Sequence, residues 1–170
     1  MRPALKALAL IALLGAPVGA KDSAMTWKNE KNELFGAQVP DLWRRKPLSG
    51  AKAGYMFTDG VRFISVSRPG KDLKTYLASK KADAPEIESS TVTVLGKPAD
   101  RLKRVYRARN GGDEGPGPSE WVYEETVLIP DKAGFWQLQF QSSSARPKPA
   151  PAALEAWDKF LKSFKPAAVK

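Results

Sequence analysis

Hydrophobic and polar residues alternate most strictly in the last third of the 170-residue chain. In Phe135-Trp-Gln-Leu-Gln-Phe-Gln141, Trp136, Leu138 and Phe140 share one face while Gln137, Gln139 and Gln141 share the other. That period of two predicts a half-buried strand with one dry and one wet face. Upstream, Trp121-Val-Tyr-Glu-Glu-Thr-Val-Leu-Ile129 is rich in β-branched and aromatic residues, and Pro130-Asp-Lys-Ala-Gly134 supplies turn chemistry, so the two runs should pair as a hairpin. Downstream the period changes. Leu154, Trp157, Phe160, Leu161 and Phe164 recur at helical spacing, with Glu155, Asp158, Lys159 and Lys162 off the stripe, which predicts an amphipathic helix over the dry face.

The rest of the chain is shorter-winded. Residues 21–33 are polar and read as a flexible lead-in; order is expected from Leu34-Phe-Gly-Ala-Gln-Val39, a strand ended by Pro40 and followed by Trp43. Gly54 to Thr58 and Val61 to Ser67 flank Asp59-Gly60, a two-residue hairpin signal. Asp72 then opens a short helix with Leu73, Tyr76 and Leu77 on one stripe. A second hairpin joins Thr91 to Leu95 with Ala99 to Ala108 through Gly96-Lys97-Pro98, and Asn110 to Pro118 is a Gly- and Pro-rich tip. Hairpin-joined strands make antiparallel sheet, and its helices must pack on it. The expectation is an α+β domain over residues 34–166, with a central antiparallel β-sheet of about six to seven strands, helices packed on it, and a tail at 167–170.

Charge and composition narrow the setting. Met1 to Ala20 has a basic start, an apolar run from Ala7 to Leu14 and small residues before Lys21, the pattern of a secretory signal peptide. Cleavage near Ala20 predicts a periplasmic or extracellular protein, with no transmembrane segment left after it. Of 28 basic residues the leader removes Arg2 and Lys6, leaving 26 against 18 acidic, or +8. Such a balance favours anionic surfaces. With neither cysteine nor histidine, disulfides, thiolate or imidazole metal sites and His- or Cys-based catalysis are excluded, and no cofactor is expected.

Several short patterns survive that filter. Ser49-Gly-Ala-Lys52 matches a Ser-x-x-Lys nucleophile pattern, but it sits in a Gly-rich loop without the companion motifs. Gly111-Gly-Asp-Glu114 copies four letters of a nucleotide-cyclase signature within the flexible tip, where a weak calcium contact is the other reading. Glu124 and Glu125 are adjacent in a strand, so they point to opposite faces; one should lie across from an arginine of the neighbouring strand. Trp43, Trp121, Trp136 and Trp157 read as core and edge packing, or as the lining of a ligand pocket. The feature with most functional content is a basic strip, Arg101, Lys103, Arg107 and Arg109, on one face of a single strand. It is either a solvated face or a surface that docks an anionic partner, whether acidic protein, anionic polymer or lipid head group. Export and the lack of any nucleic-acid motif speak against DNA or RNA.

The order Leu34 to Pro40 then Trp43, the turn at Asp59-Gly60, Gly96-Lys-Pro-Ala99, Phe135-Trp-Gln-Leu138 and a closing helix ending Phe160-Leu-Lys-Ser-Phe164 resembles PsbP-like proteins over residues 34–164. The resemblance implies an αβα sandwich, a central antiparallel sheet between helices. Plant members of that family are non-catalytic subunits that help retain calcium and chloride at photosystem II, with histidines at their metal sites. This chain has no histidine, so the resemblance implies the fold and a non-catalytic role and no site residue. The expected function is an exported, non-catalytic binding or accessory protein of the bacterial envelope. A small envelope hydrolase using paired carboxylates and a carrier of a small apolar ligand are the alternatives.

Overall fold

The computed structural model describes residues 25–49, 54–70, 72–109 and 119–167. Among the described residues there are two helices and ten strands, the strands in two antiparallel sheets, in an α+β fold. The larger sheet has seven strands in the order β3 (Arg44–Pro47), β4 (Gly54–Thr58), β5 (Arg62–Ser67), β9 (Gly134–Ser144), β8 (Ser119–Asp131), β7 (Lys97–Arg109) and β6 (Glu88–Val94). The smaller is β1 (Trp27–Lys31), β2 (Phe35–Pro40) and β10 (Lys165–Pro166), with β2 in the middle.

The sheet is covered on both faces. Helix α2 (Pro151–Ser163) buries Ala153, Ala156, Trp157 and Phe160. Phe164, the residue after its last turn, is also buried, and these side chains meet Trp136, Leu138, Phe140, Val127 and Ile129 of the large sheet and Phe35, Ala37 and Val39 of the small one. Trp157 stacks between Phe140 at 5.8 Å and Phe160 at 6.1 Å. The alternating strand and the apolar helix stripe thus meet as their patterns require. Helix α1 (Leu73–Asp83) lies on the opposite face, where Leu73, Tyr76 and Leu77 pack against Leu102, Leu128 and Phe135. The expected wet face of Phe135–Gln141 is therefore corrected at its first turn of sequence: Phe135 and Gln137 are buried, and Tyr76 Oη donates to Gln137 Oε1 at 2.8 Å. A strand's own alternation shows how its two faces differ, whereas the cover on the weaker face comes from a distant helix.

Three local expectations change. Polar Trp27–Lys31 is ordered as β1, its five residues paired with Pro40 back to Gly36, so the lead-in does not extend to residue 33. The Asp59-Gly60 hairpin closes on Thr58 opposite Phe63, which makes a four-residue turn; only Gly60 has positive φ, and Asp59 Oδ1 accepts from the backbone N–H groups of Val61 and Arg62. The β6–β7 turn is Leu95-Gly96, both with positive φ (56° and 71°), while Lys97 and Pro98 already belong to β7. The β8–β9 hairpin turns through Lys132-Ala133, with Asp131 opposite Gly134. The leader, its cleavage site, Gly50–Ala53, the Asn110–Pro118 tip and residues 168–170 lie outside the described residues.

Candidate functional site

The basic strip lies on β7, and its α2-facing side carries Arg101, Lys103, Val105 and Arg107. Strand β7 pairs with β8 without interruption from Asp100 opposite Leu128 to Arg109 opposite Ser119. Arg101 therefore stands across from Val127 and Lys103 across from Glu125. Successive residues of β8 alternate faces, so Glu124 turns to the α1 side, where it receives Arg104 Nη2 at 2.8 Å, and Glu125 turns to the α2 side. Each glutamate has an arginine of β7, and the two cannot act on one substrate atom.

Glu125 is the centre of a closed network. Its side chain is 1% exposed, and it accepts from Arg101 Nη2 at 2.6 Å, Tyr123 Oη at 2.7 Å and Trp157 Nε1 at 2.5 Å. A buried carboxylate is tolerated only when charge and hydrogen bonds replace its water, and these three donors do so. Hydrogen bonding to Glu125 raises the Arg101 guanidinium further above its already high ordinary value. Burial, and then donation to the same carboxylate, push the Tyr123 hydroxyl up. Arg101 is thus the counterion of a core carboxylate, and the strip is not four equivalent surface charges. Sequence spacing placed Arg101 on the right face; the β7–β8 register sets Glu125 diagonally across from it, and Trp157 of α2 closes over the pair.

The rest of the strip is looser. Lys103 Nζ is 3.8 Å from Glu88 Oε2, whose side chain is 77% exposed, and 5.7 Å from the Tyr123 ring centre. Arg107 is exposed, lies 4.9 Å over the Trp121 ring and has no carboxylate within 4.0 Å among the described residues. Arg109 is the last residue of β7, and its side chain lies outside the described residues. Beside Lys103 a groove of about 330 Å³ runs between Val105 and Tyr123 on the sheet and the Pro147–Pro149 connector, with Lys148 and Leu154 on its far wall. Sequence reasoning missed Lys148, because no spacing rule brings a connector lysine beside a strand that precedes it by some forty residues.

No protein-family model and no curated protein matches this chain. One solved structure similar to it is LpqN, involved in cell envelope biogenesis of Mycobacterium tuberculosis. The two are 17% identical, the match covers 87% of this chain and 88% of that one, and the TM-score is 0.43. A likeness at that level carries no weight for the site.

The other candidates separate. Trp136 and Trp157 are closed into the core, so the space between them is filled with side chains; Trp136 Nε1 is buried without a hydrogen-bond partner among the described residues. Ser49 is described and exposed, but Lys52 and the Gly111–Glu114 run lie outside the described residues. Among the described residues no group of three or more acidic side chains is arranged to hold a metal ion, and no helix is long and apolar enough to cross a membrane.

Proposed function

We propose that this is an exported, non-catalytic binding protein of the bacterial envelope, of the PsbP-like kind, that docks an anionic macromolecule along the outer half of β7. The observation that supports it is the contrast within the strip. Arg101 is consumed by Glu125, whereas Lys103 has only a long 3.8 Å contact to the largely exposed Glu88 and lines a groove with Lys148, and Arg107, further along the same face, has no carboxylate within 4.0 Å among the described residues. Clustered like charges repel, and an anionic partner would relieve that repulsion while releasing bound counterions. Tyr123 and Val105 on the sheet and Leu154 on the far wall make the groove partly apolar, so the partner contributes more than charge.

The test uses protein recovered from the exported fraction, whose intact mass should place the N-terminus at Lys21. Lys103, Arg107 and Lys148 are replaced together by Gln, with Arg101 left in place to hold Glu125. Wild type should bind native envelope fractions and release as salt rises, since exposed charge contacts are screened over about 10 Å at 0.1 M. The triple variant should bind several-fold more weakly at low salt with an unchanged denaturation midpoint. Equal binding by the two proteins, or binding indifferent to salt, would reduce the strip to a solvated face.

A further inference from the structure

The outer half of β7 is also an open sheet edge. Strand β6 pairs with β7 only from Val94 opposite Lys97 to Glu88 opposite Lys103, while β8 follows β7 to Arg109. From Arg104 onward, β7 has a strand on one side and none on the other among the described residues.

The register shows which backbone groups face that side. A two-residue turn closes on a pair of residues that exchange both backbone hydrogen bonds. Val94 and Lys97 are such a pair, so the odd-numbered residues of β7 turn their N–H and C=O toward β6. Asp131 and Gly134 are another, so the odd residues of β8 bond to β9 and its even residues to β7; Glu124 opposite Arg104, Val122 opposite Tyr106 and Glu120 opposite Ala108 are the bonded pairs. Both turns give the same assignment. Past the end of β6, Val105, Arg107 and Arg109 each present an N–H and a C=O to the open edge, a row about 13 Å long.

We propose that this edge accepts an extended acidic segment of a partner protein as an added strand. The inference rests on the anion-docking reading above and gives that partner its shape. Exposed edges are hazardous because they template further pairing, and basic side chains guard against it. Here the guard is selective. A second copy of this chain paired antiparallel about Arg107 would bring Arg107 against its own like charge, which is destabilising between directly opposed residues. A strand with Glu or Asp at alternate positions would instead oppose each arginine, take up the six free backbone groups, and send its same-face side chains toward Lys103 and the Lys148 groove. Its other face would lie by Tyr106 and Ala108, next to an Arg104 already occupied by Glu124.

The experiment measures binding, by fluorescence anisotropy, of a labelled, end-capped peptide of alternating glutamate and valine to the full mature chain and to two variants. Arg107→Gln removes the charge and keeps the N–H; Arg107→Pro removes both. Among the described residues nothing accepts from that N–H, so proline at this edge position should leave the denaturation midpoint close to that of the glutamine variant. Arg107→Gln should weaken binding by a few-fold, and Arg107→Pro by a further tenfold or more. A parallel measurement with peptides N-methylated at one or the other alternate set should show that one of the two sets abolishes binding; it decides the matter alone if the proline variant does not fold. Equal affinities for the two variants, or undiminished binding of both methylated peptides, would overturn strand addition. Those results would leave the salt-dependent loss in the Gln triple variant standing, so the edge and the charge fail separately.

Discussion

The Arg101–Glu125 pair offers the sharpest test of how this fold treats its own charges. Arg101→Gln removes the counterion of a carboxylate that is 1% exposed, while the arginine it replaces is 37% exposed. Breaking a fully buried pair costs about 3–5 kcal/mol, and an exposed pair contributes about 0.2–1 kcal/mol. This pair lies between, because water reaches the guanidinium side and Tyr123 and Trp157 still donate to Glu125 after the change. The expected loss is about 2–3 kcal/mol, close to the about 1.5–3 kcal/mol of a hydrogen bond to a charged group, and a large part of the about 5–15 kcal/mol of a typical domain. Equilibrium denaturation in urea of Arg101→Gln, Glu125→Gln and the double variant completes a cycle. The double variant should lose less than the sum of the singles, with a coupling of about 1–3 kcal/mol. A single-variant loss below about 1 kcal/mol together with zero coupling would show that Arg101 is an ordinary surface charge, and it would then rejoin the docking strip.

Two further perturbations separate packing from polarity and strain from contact. Trp157→Ala should cost about 3–5 kcal/mol, whereas Trp157→Phe keeps a ring between Phe140 and Phe160 and loses the donor to Glu125, for about 1–3 kcal/mol; equal losses in chemical denaturation would mean that the stack adds nothing beyond the hydrogen bond, and no loss in the Phe variant that the hydrogen bond adds nothing to the stack. Leu95 holds φ at 56° in an exposed turn, a conformation costing about 1–2 kcal/mol for a side chain of its kind, so Leu95→Asn should raise the thermal midpoint by the equivalent of about 0.5–1 kcal/mol, and a lowered midpoint would show that the packing of Leu95 outweighs the strain.

What the sequence by itself determined is whatever local periodicity and turn chemistry can enforce. The strand Gly134–Ser144, the α2 stripe, the α1 start at Asp72 and the three hairpins were legible because a side-chain period of 2 or 3.6, or a Gly-containing turn, acts within a few residues. Glu124 and Glu125 facing opposite ways follows from the same rule. What only the tertiary structure decided involves residues with no pattern of their own. Strands Trp27–Lys31 and Arg44–Pro47 are polar edge strands, ordered by the neighbours to which they bond, and Arg44–Pro47 is exposed along its length. The second cover on Phe135 and Gln137 required α1 to fold back over them. Within the basic strip, spacing put four cations on one face but could not divide them. Arg101 reaches Glu125 through the β7–β8 register, under the cover of Trp157 from α2, and the edge beyond Lys103 is open among the described residues because β6 stops short of β7. Pairing length and burial are properties of the assembled sheet, and a one-dimensional pattern encodes neither.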